Sequence, residues 1–177
     1  MREMVIYGVS FDMVGKQPIV LLKTADGNRF LPIWIGHAEA AAILVKLQNA
    51  SPPRPMTHDL LNDMLGNLDA EVISVTVTEL RENTFYAQIT LRQNGSEIEI
   101  DSRPSDAIAI AVRTGAKIYA ADDVIEESGV EFEGEGTDEE IAAAAAGSQP
   151  LSDLDPAEFR RFLDEVTPDE FAVDPDD

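Results

Sequence analysis

Residues 98–113 read IEIDSRPSDAIAIAVR and place two carboxylates, a guanidinium and a hydroxyl in one short polar turn. These groups belong to Asp101, Arg103, Ser105 and Asp106. Carboxylate oxygens are good ligands for Mg²⁺ or Mn²⁺, and a neighbouring arginine can bind a phosphate. The same residues could also form an arginine–carboxylate brace with an acid at a helix N-terminus. Both interpretations stay open from these residues alone.

A second group of polar residues begins within the extended segment 51–55, which reads SPPRP, and continues just after it. It contains Arg54, Thr57, His58 and Asp59. His58 has the chemistry of a general base or a metal ligand, and Arg54 could bind a phosphate. The alternative is a capped helix N-terminus that carries a half-exposed imidazole.

Patterns of apolar residues predict the elements that position these groups. Alternation predicts strands, and a repeat near four residues predicts helices. We predict strands over residues 4–12, 18–24, 29–35, 71–80, 84–92, 96–101 and 117–120, and helices over 37–48, 57–66 and 107–113. The body of the last helix is apolar all round, which predicts burial, and Pro104 suits its first position. The helix at 57–66 is expected to bury its leucines and Met64.

The predicted elements form a repeat of three strands and a helix. A shift of 67 residues places Glu39 on Asp106 and Ala40 on Ala107. The sequence therefore predicts an α+β fold in which duplicated β-β-β-α units form a mixed or antiparallel sheet packed with helices. Glu39 becomes a candidate for a site shared by the halves. Trp34 is expected to be a core residue rather than a stacking surface.

Composition limits the class of protein and of site. The 177 residues include 44% hydrophobic residues and no cysteine, so disulfides and thiolate ligands are excluded. The sequence shows neither an apolar run of membrane-spanning length nor a signal-peptide core, which favours a cytoplasmic protein without membrane contact. Strands 19–22 and 31–35 are apolar on both faces, which predicts a homo-oligomer.

The net charge of −21 lies mostly in the last third of the chain. Residues 1–120 carry −3, and residues 121–177 carry −18. We therefore predict a domain at 1–125, an acidic and alanine-rich linker at 126–150, and an acidic tail at 151–177. Phe159, Phe162 and Leu163 give the tail a short amphipathic helix, which predicts a protein partner or a self-masking role.

Several motifs together resemble the bifunctional nuclease domain family, which is also known as a domain of unknown function. The motifs are LPIWIG with Glu39-Ala40, the segment RPMTHDL at 54–60, FYA at 85–87, RPSDA at 103–107 and Ile118-Tyr119. The resemblance covers about residues 4–125. The ending, FLDEVTPDEF at 162–171, is similar to the actinobacterial members. The family implies an α+β fold and a nuclease that acts on DNA and RNA.

The nuclease hypothesis gives each candidate residue a role. His58, Asp101 and Asp106 would be catalytic, and Arg54, Arg103 and Ser105 would bind the nucleic-acid substrate. Mg²⁺ or Mn²⁺ would be held by carboxylates from Asp101, Asp106, Glu39 and Asp59. The competing hypothesis is a non-catalytic regulatory or adaptor protein that assembles through its sheet and binds a partner through its acidic tail. Acids that converge on one cleft would favour the first hypothesis, and dispersed, internally paired acids the second.

Overall fold

The strands and helices that the sequence predicts are present in the computed structural model, which describes residues 1–12, 17–131 and 148–150. The strands are β1 (Arg2–Asp12), β2 (Gln17–Thr24), β3 (Arg29–Trp34), β4 (Ala70–Arg81), β5 (Thr84–Gln93), β6 (Ser96–Ser102), β7 (Lys117–Ala120), β8 (Val130–Glu131) and β9 (Ser148–Pro150). The helices are α1 (His37–Leu47), α2 (Thr57–Asn67), α3 (Pro104–Thr114) and α4 (Asp122–Ser128).

The strands form one mixed sheet in the order β6-β5-β4-β7-β1-β2-β3-β8, and β9 pairs with β1. Strand β7 lies between the two three-stranded units, parallel to β4 and antiparallel to β1. The units β1-β2-β3 and β4-β5-β6 therefore run in opposite directions on either side of β7. This arrangement confirms the α+β fold with its two β-β-β-α units.

The core lies between the sheet and helices α1 and α3. Both helices contact each other and neighbouring strands, and α3 is buried along most of its length, as its apolar sequence predicts. Ile108 and Ile110 are each 1% exposed. Burying a side chain of this size stabilises a fold by about 1.5–3 kcal/mol. The start of α3, where the candidate residues lie, is therefore anchored by the helix body that follows it.

Strand β4 buries a different set of residues from the set that strict alternation predicts. Strict alternation predicts that Ile73, Val75 and Val77 face the core; Val75 and Val77 are buried there as expected, but Ile73 is only half-buried and Val72 lies in the core instead. The register between β4 and β5 shifts between Val72 and Ser74. A bulge inserts one residue and reverses the side that the preceding residues face.

Helix α2 lies on the outside of the molecule, so the prediction that its apolar side chains are buried is wrong. No residue of α2 is fully buried. Leu60 is 54% exposed and Met64 is 53% exposed. Only Leu65 of the helix packs against the core as a partly buried side chain. The helix contacts α3 and β4 at the periphery, and its amphipathic pattern is therefore not satisfied by the described residues of this chain.

The outer face of the first unit also differs from expectation. Ile19 and Leu21 are 0% exposed, so the two-faced apolar strands do not offer the free surface on which the predicted homo-oligomer rested.

Trp34 is 46% exposed, so its assignment to the core is wrong. It is the last residue of β3.

Ordered elements continue past residue 125, the predicted end of the domain. Helix α4 ends at Ser128, and β8 pairs with β3. Backbone pairing of β9 with β1 adds residues 148–150 to the sheet. The predicted tail at 151–177, with its amphipathic helix, lies outside the described residues, as does most of the linker. Within the described part of the chain, no helix has the length and apolarity needed to cross a bilayer.

Candidate functional site

Three helices carry an acid at the same position of their first turn. Glu39 in α1, Asp59 in α2 and Asp106 in α3 each lie three residues after the N-cap. A carboxylate at this position is favoured because the N–H groups of the first turn have no intrahelical acceptors and point toward it. In α2 this bond is direct, since the Met56 N–H donates to Asp59 Oδ2 at 2.8 Å.

Arg103 joins the two acids that the repeat relates. Its Nη1 lies 2.9 Å from Glu39 Oε1, and its Nε lies 2.7 Å from Asp106 Oδ2. A second bond, from Nη2 to Asp106 Oδ1 at 3.2 Å, makes the contact with Asp106 bidentate. The Arg103 side chain is 65% exposed, so one side of the guanidinium is open to solvent. The duplication thus brings two helix N-termini to one cation.

His58 contacts the same carboxylate from helix α2. Its Nε2 lies 3.1 Å from Asp106 Oδ1, and its side chain is 14% exposed. Burial alone would raise the pKa of Asp106, but hydrogen bonds with Arg103 and then with His58 outweigh it and lower the pKa. Asp106 is therefore ionised at neutral pH and can orient the imidazole. We call Glu39, His58, Arg103 and Asp106 the Arg103 cluster.

Asp59 belongs to a separate, structural contact. Its Oδ1 accepts a hydrogen bond of 2.6 Å from Arg113 Nε, and the Arg113 side chain is 2% exposed. Arg113 Nη1 also donates to the carbonyl oxygens of Ala42 and Ala109. Burial alone would raise the pKa of Asp59. The hydrogen bonds from Met56 and Arg113 outweigh this effect, so the pKa is lower than its usual value. This pair ties α2 to α1 and α3.

Of the remaining candidates, Asp101 and Arg54 lie away from the Arg103 cluster, whereas Ser105 lies beside it at the start of α3. Asp101 is exposed on β6, where it pairs in register with Gln88, while its neighbour Ile100 pairs with core residue Ile89 on the helix side of the sheet. Strand alternation therefore turns Asp101 away from the helices and from the Arg103 cluster. Arg54 lines a cavity of about 280 Å³ together with Lys46 and the Asp59–Arg113 pair. Ser105 is 7% exposed.

The four predicted metal ligands do not form a cation site. Among the described residues there is no group of three or more His, Cys, Asp or Glu side chains that could hold a metal ion. The oxygens of Glu39 and Asp106 face Arg103, which already supplies the positive charge between them. Asp59 faces Arg113, and Asp101 lies elsewhere. From the sequence we expected these four acids to hold Mg²⁺ or Mn²⁺. Their arrangement among the described residues does not fit either ion.

The structure adds a cavity of about 290 Å³ beside Arg103 that the sequence did not indicate as functional. Trp34 and Phe85 provide its aromatic surface, and Glu39, Arg103, Asn83 and Thr84 provide polar groups. The sequence signal for Trp34 was its place at the end of a strand just before Gly36, where a side chain can lie beyond the sheet. Pro104 and Ser105, at the start of α3, also line the cavity.

Comparisons with known proteins identify a family for this chain. The model of the bifunctional nuclease domain matches residues 20–133. An uncharacterized protein of Mycobacterium tuberculosis is 39% identical over 171 residues, which cover 97% of this chain and 98% of the relative. Bifunctional nuclease 1 of Arabidopsis thaliana is 34% identical over 100 residues, which cover 54% of this chain. Bifunctional nuclease 1 of Oryza sativa subsp. japonica is 33% identical over 98 residues, 53% of this chain.

The match to the plant proteins is confined to one region. It spans 31% of the Arabidopsis protein and 30% of the rice protein, so about two thirds of each plant protein has no counterpart in the alignment. The mycobacterial relative, by contrast, aligns along nearly its whole length. The domain model covers well over half of this chain and includes α1, α2, α3 and the Arg103 cluster. With the motifs in order and both units in place, this chain belongs to the bifunctional nuclease domain family.

Proposed function

We propose that the chain binds the phosphate backbone of a nucleic acid at the Arg103 cluster and hydrolyses a phosphodiester bond there. The observation that carries the proposal is the 3.1 Å contact between His58 and Asp106, next to an arginine whose side chain is 65% exposed. A base oriented by a carboxylate, beside a cation that can bind a phosphate, is a suitable arrangement for this reaction. The names of the plant relatives support the same class of activity.

The roles follow from the hydrogen bonds. Asp106 accepts the Nε2–H of His58, which leaves Nδ1 to take a proton from an attacking water molecule. Arg103 holds the non-bridging oxygens of the phosphate and stabilises the charge that develops on them. A bond forms from the water oxygen to phosphorus while the bond from phosphorus to the leaving oxygen breaks; the leaving oxygen takes up a proton from solvent, and His58 then releases the proton that it took from the water. No step passes through a metal ion, because the described carboxylates do not form a site for one.

Substrate binding at this cluster competes with internal ion pairs. A phosphate oxygen that reaches Arg103 must compete with Glu39 and Asp106, both within 3.2 Å of the guanidinium. We therefore expect weak binding that decreases further with added salt.

Cleavage of a labelled single-stranded oligonucleotide tests the proposal. His58→Ala should lower the rate by about 10²–10⁴-fold, the usual contribution of a general base. Asp101→Asn is the matched control, since this acid lies outside the cluster, and it should cleave like the unchanged protein. Cleavage should persist in excess EDTA. Equal rates in His58→Ala and the unchanged protein, or complete loss of cleavage in EDTA, would overturn this mechanism.

A second candidate function is that of a non-catalytic adaptor that associates with another copy of the chain through α2. The observation that favours it is the exposed apolar face of α2, with Leu60 and Met64 each more than half exposed. These residues are four apart and so lie on one helix face, where a self-complementary contact could form. Light scattering at high micromolar concentration tests this, with Leu60→Glu as the disrupting variant and Asp63→Lys as a polar control on the same helix. A monomeric protein would exclude it.

A further inference from the structure

We propose that the cavity lined by Trp34, Phe85 and Arg103 binds one base of a single-stranded nucleic acid, which stacks on Trp34. This inference rests on the proposed function, because the phosphate next to that base would be the one that Arg103 binds. It assigns a substrate form, the single strand, that the Arg103 cluster alone does not select.

The first argument is the exposure of the aromatic rings. Trp34 is 46% exposed although its strand neighbours Ile33 and Ile35 are buried. Large aromatic side chains usually bury most of their surface, and an exposed one beside a cavity is typical of a binding site. Phe85 presents a second, half-buried ring to the same space. Stacking on such rings is the common way to bind a base without regard to its identity.

The second argument is the placement of polar groups around the rings. Arg103 borders the cavity on the side of the cluster, and Asn83 and Thr84 border it from the hairpin between β4 and β5. Glu82 and Asn83 have φ values of 49° and 59°, which form a tight two-residue turn. The turn fixes Asn83 at the cavity, where its amide can both donate to and accept from a base edge.

The third argument is size. A volume of about 290 Å³ is at the lower limit of roughly 300–1,000 Å³ for sites that hold drug-sized ligands. It suits one planar ring system rather than a stack of several. A base inside a duplex is covered by its neighbours on both faces and cannot enter such a cavity without being unpaired. The cavity therefore selects a single strand.

Tryptophan fluorescence is a direct assay, because Trp34 is the only tryptophan in the chain. The full chain carrying His58→Ala is titrated with a short single-stranded oligothymidylate, so that the strand stays intact. We expect quenching by the single strand, little quenching by a duplex that contains it, and none by ribose 5-phosphate, which lacks a base. Equal quenching by the duplex, or no quenching by the single strand, would overturn the inference.

Variants localise the signal. Phe85→Leu should weaken binding by about tenfold, the typical effect of losing an aromatic stacking partner. Tyr86→Leu is the matched control, because Tyr86 follows Phe85 on the same strand but packs on Arg81, 4.8 Å from its ring. Trp34→Leu, measured by anisotropy of a labelled oligothymidylate, should also lose about tenfold. If Phe85→Leu and Tyr86→Leu bind alike, the cavity is not the base site.

The outcomes separate this inference from the proposed function. Quenching of Trp34 by single strands, without cleavage by the unchanged protein, would keep the base site and refute the hydrolytic role. The opposite result is cleavage of single strands by the unchanged protein, together with no change in Trp34 fluorescence when His58→Ala is titrated with the strand. It would keep the hydrolytic role and refute the base site.

Discussion

Asp59→Asn is expected to destabilise the protein much more than Asp106→Asn, although both acids lie at the same position of their helices. Asp59 neutralises Arg113, whose side chain is only 2% exposed, so its loss leaves a buried guanidinium without a carboxylate. Removing one partner of a buried pair costs about 3–5 kcal/mol. Because Asp59 is 31% exposed and Arg113 keeps two carbonyl acceptors, we expect about 2–3 kcal/mol.

The corresponding loss at Asp106 should be small. Its partner Arg103 is 65% exposed, and ion pairs at such positions contribute about 0–1 kcal/mol. The bond from His58 can still be accepted by the amide oxygen of Asn. In thermal unfolding of a chain this size, 1 kcal/mol corresponds to about 2–4 °C. Asp59→Asn should therefore lower Tm by about 4–12 °C, and Asp106→Asn by less than about 4 °C. Asp101→Asn, outside both contacts, should leave Tm nearly unchanged.

The same variants should rank in the opposite order for oligonucleotide cleavage at a temperature where all are folded. Asp106→Asn removes the charge that orients His58, whereas Asp59→Asn leaves the Arg103 cluster in place. Equal losses of Tm in the two variants would refute the separation of a structural acid from a functional one. So would an Asp59→Asn protein within about 0.5 kcal/mol of the unchanged chain, the range of ordinary surface substitutions.

Four further outcomes are expected. The pKa values of Asp59 and Asp106 are lowered in the fold, so the stability that they contribute should be complete above the unfolded value of about 3.9 and should be lost as the pH falls below it and through the lower pKa of the folded state; the decrease of Tm in acid should be shallower when both are Asn. Glu39→Gln should bind oligothymidylate more tightly at low salt, since it removes one competitor for Arg103, and anisotropy should show the gain shrinking with added salt. Leu60→Glu should shift any oligomer toward monomer in light scattering. Removal of the chain after Pro150, which keeps β9 paired with β1, should leave Tm of the body nearly unchanged; a large decrease would show that the acidic tail belongs to the domain.

The elements of the fold could be predicted from the sequence because each depends on local patterns. Alternation located β1 to β7 to within one or two residues, whereas the short strands β8 and β9 were not predicted, and the all-round apolar body of α3 indicated its burial correctly. Asn94-Gly95 forms the predicted turn, with both φ values positive. The Asp26-Gly27 pair predicts a type I′ turn with positive φ at both residues; the pair does connect two strands, but neither residue has positive φ, so the turn type predicted from the sequence is wrong.

The errors arise where tertiary contacts decide the outcome. A bulge in β4 reversed the predicted direction of Ile73, and the peripheral position of α2 left Leu60 exposed. The side-chain pairs of the site could not be predicted either, because the partners are far apart in the sequence. Asp59 and Arg113 are separated by 54 residues, and His58 and Asp106 by 48. The sequence therefore indicated the right residue types for a polar site but grouped Asp101 and Asp59 with a cluster to which they do not belong.

The duplication explains why this site lies where it does, and its asymmetry explains why it has an arginine. The shift that relates Glu39 to Asp106 also relates Gly36, the N-cap of α1, to Arg103, the N-cap of α3. A Cβ on Gly36 would lie 2.3 Å from Glu39 Oε2, so a larger residue at this position would make the end of the Glu39 side chain shift. In the other unit the same position supplies the cation. One N-cap thus makes room and its counterpart provides charge, which turns two equivalent helix starts into a single site that contains a guanidinium between two acids.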